Sequence, residues 1–227
     1  MPLARKLFVG IALTSVLLGG CTSQVTEREQ YSGFLSSYDN LQEVTTATGE
    51  KSLRWVSPSW NPNAYDTLAF RTLEFYPAPK PNEQVNPQTL AELQDYMSRK
   101  AKIVLGQKYR RASSAAAAPA GSHPLILRAA ITGVSASNEG MKWYEVMPIA
   151  GVVGATQAAT GHRDQDTNLY IEAEFIDART HQTMAKMVRK IFGNSLENQS
   201  QAITTKDFKA AIEKLSTDLW AFIHTGG

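Results

Sequence analysis

The run Gly161-His162-Arg163-Asp164-Gln165-Asp166 places a histidine and two carboxylates within five residues, the one polar cluster that invites a metal or acid/base reading. His162, Asp164 and Asp166 could supply ligands or a proton-transfer pair. Carboxylates at i and i+2 of a strand share one face, but no third ligand is specified there. The plainer reading is Arg163 pairing with nearby carboxylates at a strand entrance. The sequence lacks a Gly-x-Ser-x-Gly elbow, a His-Glu-x-x-His pair and a Gly-rich phosphate loop. The expectation is therefore a non-enzymatic protein, with no catalytic residues and no metal. Trp55, Trp60 and Tyr65, spaced five apart beside prolines, offer a different chemistry. Exposed, they could stack on sugar rings; packed, they would close the open end of a core.

Cys21 is the single cysteine of the 227-residue chain. Arg5 and Lys6 precede an apolar run from Leu7 to Leu18, followed by Gly19, Gly20 and Cys21. That layout is a secretory signal, too short and wrongly flanked to span a membrane. Leu18-Gly19-Gly20-Cys21 resembles the lipobox of bacterial lipoproteins. The resemblance implies removal of residues 1–20, a diacylglycerol on the Cys21 thiol and an acyl chain (palmitate or similar) on the new amino terminus. Several acyl chains would make membrane attachment lasting, because a single chain holds only marginally. Thr22 follows the cysteine in place of the aspartate that marks inner-membrane retention in enteric bacteria. The expected address is the periplasmic face of the cell outer membrane. The only expected prosthetic group is the covalent lipid, and the fold must stand without disulfides.

Charge narrows the partners. The chain has 23 basic and 21 acidic residues, and loss of Arg5 and Lys6 leaves 21 of each sign. A neutral mature chain without like-charge runs argues against nucleic acid. Partners are expected among envelope proteins or glycans, besides the membrane reached through the anchor.

Met147 to Thr160 carries no charge, and small residues recur in it every four positions: Gly151, Ala155, Ala159 and Ala150, Gly154, Ala158. About twenty residues are needed to span a bilayer, so this stretch is too short. It reads either as a segment packed tightly on a sheet or as an oligomer or membrane contact through Gly151, Gly154, Ala155 and Ala158.

The elements that would position these residues follow from periodicity. Residues 21–32 read as an acylated cysteine and a flexible tether able to lift the domain roughly 35 Å off the bilayer, and 33–227 as a single domain. Tyr65 to Phe75 reads as a long strand whose apolar phase changes midway. Asn86-Pro87 starts a helix, with Leu90, Leu93, Met97, Ala101 and Val104 on one stripe and Gly106 as its stop. Ala112 to Ser122 is a low-complexity loop, and Leu125 to Val134 a half-buried strand. Strands at 167–176 and 183–192 form a hairpin pairing Phe175 with Ala185, Ala173 with Met187, Leu169 with Ile191 and Glu174 with Lys186. Arg189 then lands beside Ile171 on the dry face, while Glu172 and Glu174 read as wet-face surface charge. Thr204 or Thr205 caps a last helix with Phe208, Ile212, Leu215, Leu219 and Phe222 on its stripe. The order strand, helix, three strands, helix predicts an α+β fold: a mainly antiparallel sheet with two amphipathic helices on one face.

Five strings together carry a resemblance: Leu53-Arg54-Trp55-Val56-Ser57-Pro58, Ala130-Ile131-Thr132-Gly133-Val134, Tyr144-Glu145-Val146-Met147-Pro148, Thr160-Gly161-His162-Arg163-Asp164 and Asp177-Ala178-Arg179-Thr180. They resemble a family of proteobacterial lipoproteins grouped as a domain of unknown function, thirty-three thirteen. The resemblance spans nearly all of the mature chain. It implies a small periplasm-facing lipoprotein and supplies no active-site residues.

Overall fold

A computed structural model describes residues 24–137, 165–198 and 200–226. Among them an eight-stranded sheet runs in the order β1-β2-β8-β7-β6-β3-β5, with β4 also beside β6. The strands are β1 (Gln42–Thr45), β2 (Lys51–Val56), β3 (Thr67–Ala69), β4 (Glu74–Phe75), β5 (Arg110–Ala112), β6 (Pro124–Ser137), β7 (Asp166–Asp177) and β8 (Thr183–Phe192). Two helices, α1 (Pro87–Leu105) and α2 (Thr205–Thr225), lie among the same residues.

The sheet is mixed, which corrects the expectation of a mainly antiparallel one. β1, β2, β8, β7 and β6 pair antiparallel in succession, whereas β3 pairs parallel with both β5 and β6, and β4 pairs parallel with β6. The chain between β3 and β5 contains α1, and a helical crossover is what allows neighbouring strands to run parallel. The element order also differs from strand, helix, three strands, helix. β1 and β2 precede the expected first strand, and Tyr65 to Phe75 is not one strand but two short ones. The phase change at Phe70 to Leu73 marks the break between them.

Other expectations are met in detail. β7 and β8 pair Phe175 with Ala185, Ala173 with Met187, Glu174 with Lys186 and Leu169 with Ile191. A one-residue slip would turn every apolar side chain of the pair to the wrong face. α1 begins where Asn86 accepts from the Thr89 N–H at 2.8 Å with Pro87 in the first turn. Gly106 closes it, its N–H donating to the Lys102 carbonyl. α2 opens with a capping box in which Thr204 N–H donates to Asp207 at 2.7 Å.

One face of the sheet and both helices enclose the main core. Leu125, Leu127, Ala129 and Ile131 of β6 meet Leu93, Met97 and Leu105 of α1 and Phe208 and Ile212 of α2. The helices are pinned together where Glu213 accepts from Tyr96 at 2.6 Å and pairs with Lys100 at 2.5 Å.

The opposite face is covered by the chain's own N-terminal segment, in a smaller cluster of Phe34, Leu35, Ala130 and Val188. Within residues 26–32, read from the sequence as part of the tether, Thr26 and Ser32 contact the domain while Glu27, Arg28 and Glu29 are exposed. Thr26 is 2% exposed, Arg28–Gln30 forms a 3-10 turn, and Ser32 N–H donates to Glu172 at 2.9 Å. The same cover corrects the reading of Glu172 and Glu174 as surface charge, since both are fully buried. Each carboxylate is satisfied by a specific donor: Tyr38 for Glu172, and Ser36 with Arg128 for Glu174. Burying a carboxylate without such partners would be prohibitive.

Candidate functional site: an apolar cavity with a guanidinium

Between the helix-covered face of the sheet and α1 and α2 lies a cavity of about 400 Å³. Its floor is sheet: Leu127 and Ala129 from β6, Ile171 and Ala173 from β7, Ala185 and Met187 from β8. Three alanines on three adjacent strands leave the space that larger side chains would fill. Met97 and Ala101 of α1 and Leu215, Leu219 and Phe222 of α2 form the helical wall. The outer half of the α2 stripe therefore lines the cavity.

Five charged residues border the space, Arg54, Lys100, Lys186, Arg189 and Asp218, and of these Arg54, Arg189 and Asp218 lie close together. Arg189, 3% exposed, places its Nη1 2.6 Å from Asp218 of α2. Asp218 also accepts from the Thr48 N–H at 2.8 Å and the Thr48 hydroxyl at 2.9 Å, so the β1–β2 turn completes its shell. The Nε of Arg189 is buried with no hydrogen-bond partner. Arg54 of β2 lies opposite Met187 in register, hence on the same face, and its guanidinium stacks over Phe222 at 5.3 Å. Burial pushes the Arg54 pKa down, and the nearby Asp218 charge partly restores it. No carboxylate among the described residues is in salt-bridge contact with Arg54. Two guanidiniums and one carboxylate thus stand at the cavity wall, and the carboxylate is bonded to Arg189 alone of the two.

Of these residues the sequence singled out only Arg189, through its misfit on the dry face. Arg54 sits in a strand too short to show alternation, and Asp218 is one residue from the apolar position Leu219. Their convergence requires β2, β8 and α2 to be brought together.

Trp55, Trp60 and Tyr65 do not form one surface. Trp60 stacks with Tyr65 at 5.8 Å, Phe175 at 5.6 Å and Phe222 at 5.4 Å, behind two aromatic rings of the cavity lining. Tyr65 is buried and donates to Asp177 at 3.1 Å. Tyr65 belongs to the main core and Trp60 packs, partly buried, against it. Trp55, opposite Lys186 in register, lies on the other face with the Lys186 ammonium 5.3 Å from its ring.

Asp177 gathers the β7–β8 turn. It accepts from the N–H groups of Arg179 at 2.8 Å and Thr180 at 3.0 Å, from Tyr65, and lies 2.9 Å from His123 Nε2. Burial opposes its charge, but these bonds outweigh it and bring its pKa down to about 2. The Asp177-Ala178-Arg179-Thr180 string therefore has a structural explanation.

Asp166 of the proposed polar cluster begins β7 and accepts from the Ser195 hydroxyl at 3.1 Å. His162 and Asp164 lie outside the described residues, as do Cys21, the signal segment 1–20 and the small-residue stretch with Gly151, Gly154, Ala155 and Ala158. Among the described residues no set of three histidine, cysteine or carboxylate side chains is grouped to hold a metal ion, and no helix is long and apolar enough to cross a membrane.

Fold and cavity together define an α+β domain with a ligand-sized apolar space against its sheet. The chain belongs to the family described as "Protein of unknown function (DUF3313)", whose model matches residues 30–219. It is 42% identical over 205 residues to "Uncharacterized lipoprotein YdcL" of Escherichia coli (strain K12), covering 90% of each chain. Among solved structures it is similar to the PelC dodecamer from Paraburkholderia phytofirmans, with a TM-score of 0.36 and 11% identity over 71% of this chain and 92% of that one. A DUF330 protein from Xanthomonas campestris matches with a TM-score of 0.38 and 14% identity over 75% and 91% of the two chains.

Proposed function

We propose that this protein is a non-catalytic binding module, held by lipid on Cys21 at the periplasmic face of the outer membrane, whose ligand enters the cavity between sheet and helices. The observation that carries the reading is the cavity itself. Its volume of about 400 Å³ falls within the range of about 300–1,000 Å³ typical of small-molecule sites. The lining is aliphatic and aromatic, and its carboxylate, Asp218, is already committed to Arg189 and Thr48. Such walls favour holding an apolar ligand over moving protons. The lipobox at Leu18-Gly19-Gly20-Cys21 and the lipoprotein name of the Escherichia coli relative support the anchor.

The test uses a neutral, environment-sensitive dye, N-phenyl-1-naphthylamine, with the mature chain carrying Cys21→Ser so that no membrane competes. Saturable fluorescence enhancement, abolished when Ala173→Phe fills the cavity floor, is the expected result. Enhancement unaffected by Ala173→Phe in a variant that still melts cooperatively would overturn it. The anchor has its own check: labelled palmitate should enter the wild-type chain and fractionate with outer membranes, and Cys21→Ser should abolish both.

A further inference from the structure

The cavity's charged wall identifies the kind of ligand, an inference that rests on the binding reading above. Of the charged residues along the space, Lys186 turns its ammonium to the Ser37 carbonyl on the opposite face of the sheet, and Arg54, Arg189 and Asp218 leave one positive charge uncompensated. Lys100, also at the cavity, is already paired with Glu213 of α2 at 2.5 Å. Arg54 is held over the Phe222 ring, so its guanidinium is fixed beside the apolar walls. The buried Arg189 Nε adds an unused donor to the same lining. Where a cation without a carboxylate partner stands at an apolar wall, an anion that joins it with well-aligned hydrogen bonds offsets part of the solvation lost by both charges. The rest of the lining, from Ala129 and Ala173 to Leu215 and Leu219, contributes no comparable polar demand.

We propose that the cavity binds a long-chain fatty acid, with its hydrocarbon tail against the alanine-floored sheet and its carboxylate on Arg54. A planar guanidinium presents two parallel N–H donors that match the two oxygens of one carboxylate. A neutral lipid would leave Arg54 uncompensated, and a dianionic head would exceed the single spare charge. Arg189 orients the site through Asp218 and Thr48, which hold α2 and the β1–β2 turn against β8.

The experiment titrates palmitate labelled with ¹³C at its carboxyl carbon into the mature Cys21→Ser chain and follows the carboxyl resonance and the displacement of N-phenyl-1-naphthylamine. One equivalent of palmitate is expected to bind and displace the dye. Arg54→Gln is expected to weaken palmitate at least tenfold and to leave dye affinity within twofold, showing an intact cavity. Ala173→Phe is expected to abolish both. Equal palmitate affinity in wild type and Arg54→Gln would overturn the fatty-acid assignment while the binding reading survives. Dye binding without palmitate displacement would have the same consequence. Failure of both probes to bind the wild type would overturn both readings together.

Discussion

The hydroxyl of Tyr38 donates to the carboxylate of Glu172 across 2.5 Å, on the face of the sheet away from the helices. Glu172 is fully buried, and the Ser32 N–H is its other donor. Burial and the bond to Glu172 push the Tyr38 pKa up to about 12. Tyr38→Phe should leave the carboxylate short of a partner and destabilise the fold by about 1–3 kcal/mol. Urea unfolding would measure it, and Glu172→Gln should recover part of the loss in the Tyr38→Phe background. An unchanged midpoint would mean that the segment does not hold the sheet through this bond.

Acid should act on Asp177. Its folded pKa of about 2 lies below the ordinary aspartate value of about 3.9. A depressed value means that the unfolded chain binds the proton more readily, so the stabilisation is complete above the unfolded pKa and is lost as pH falls toward 2. The integrated effect is about 2 kcal/mol. Thermal unfolding followed from pH 6 to pH 2 should show that slope in the wild type, and Asp177→Asn should flatten it. A parallel decline in both proteins would move the acid sensitivity elsewhere.

The Arg189–Asp218 pair should respond asymmetrically. Arg189→Met leaves Asp218 with only the Thr48 donors and should cost about 3–5 kcal/mol, the usual penalty for stranding a buried charge. Arg189→Met combined with Asp218→Leu removes both charges and should cost less than either single change. Additive losses would show that the two side chains are not energetically coupled.

Gly193 follows β8 where the chain passes the start of α2. A Cβ there would sit 2.3 Å from Thr167 Oγ1 and 2.8 Å from both the Asp207 carbonyl oxygen and the Phe208 ring. The Asp207 contact is backbone and cannot swing aside. Gly193→Ala should therefore destabilise by about 1–3 kcal/mol or more, read as a lowered Tm. Gly49→Ala, a control glycine with no atom within 4 Å of its Cβ but a φ of +85°, tests backbone strain alone.

Local structure was legible where one repeating pattern decided it. Alternation in β7 and β8 set their register, and the caps Asn86 and Thr204 set the starts of both helices. The second face of the sheet was not legible in the same way. Glu172 and Glu174 alternate with apolar neighbours as solvent-facing acids do, and the segment that covers them lies up to 140 positions earlier in the chain. Alternation separates two faces without saying what lies above each. The parallel pairing of β3 and β4 escaped for a related reason, since strands of three and two residues carry no period. At the cavity, Arg189 was visible as a misfit, but its meaning depended on Asp218 and Thr48, which only the tertiary fold brings within reach.

The cladding of the sheet by residues 26–41 also has a mechanical side. From Cys21 to Thr26 there are five residue steps, at most about 17 Å of slack at full extension. Tension applied at Cys21 would pass into Ser32 and Tyr38, both fastened to one glutamate in the middle of β7. On the proposed acylation of Cys21, the lipid would work as a short mooring tied to the keel of the molecule, and hauling on it would strain the central strands directly.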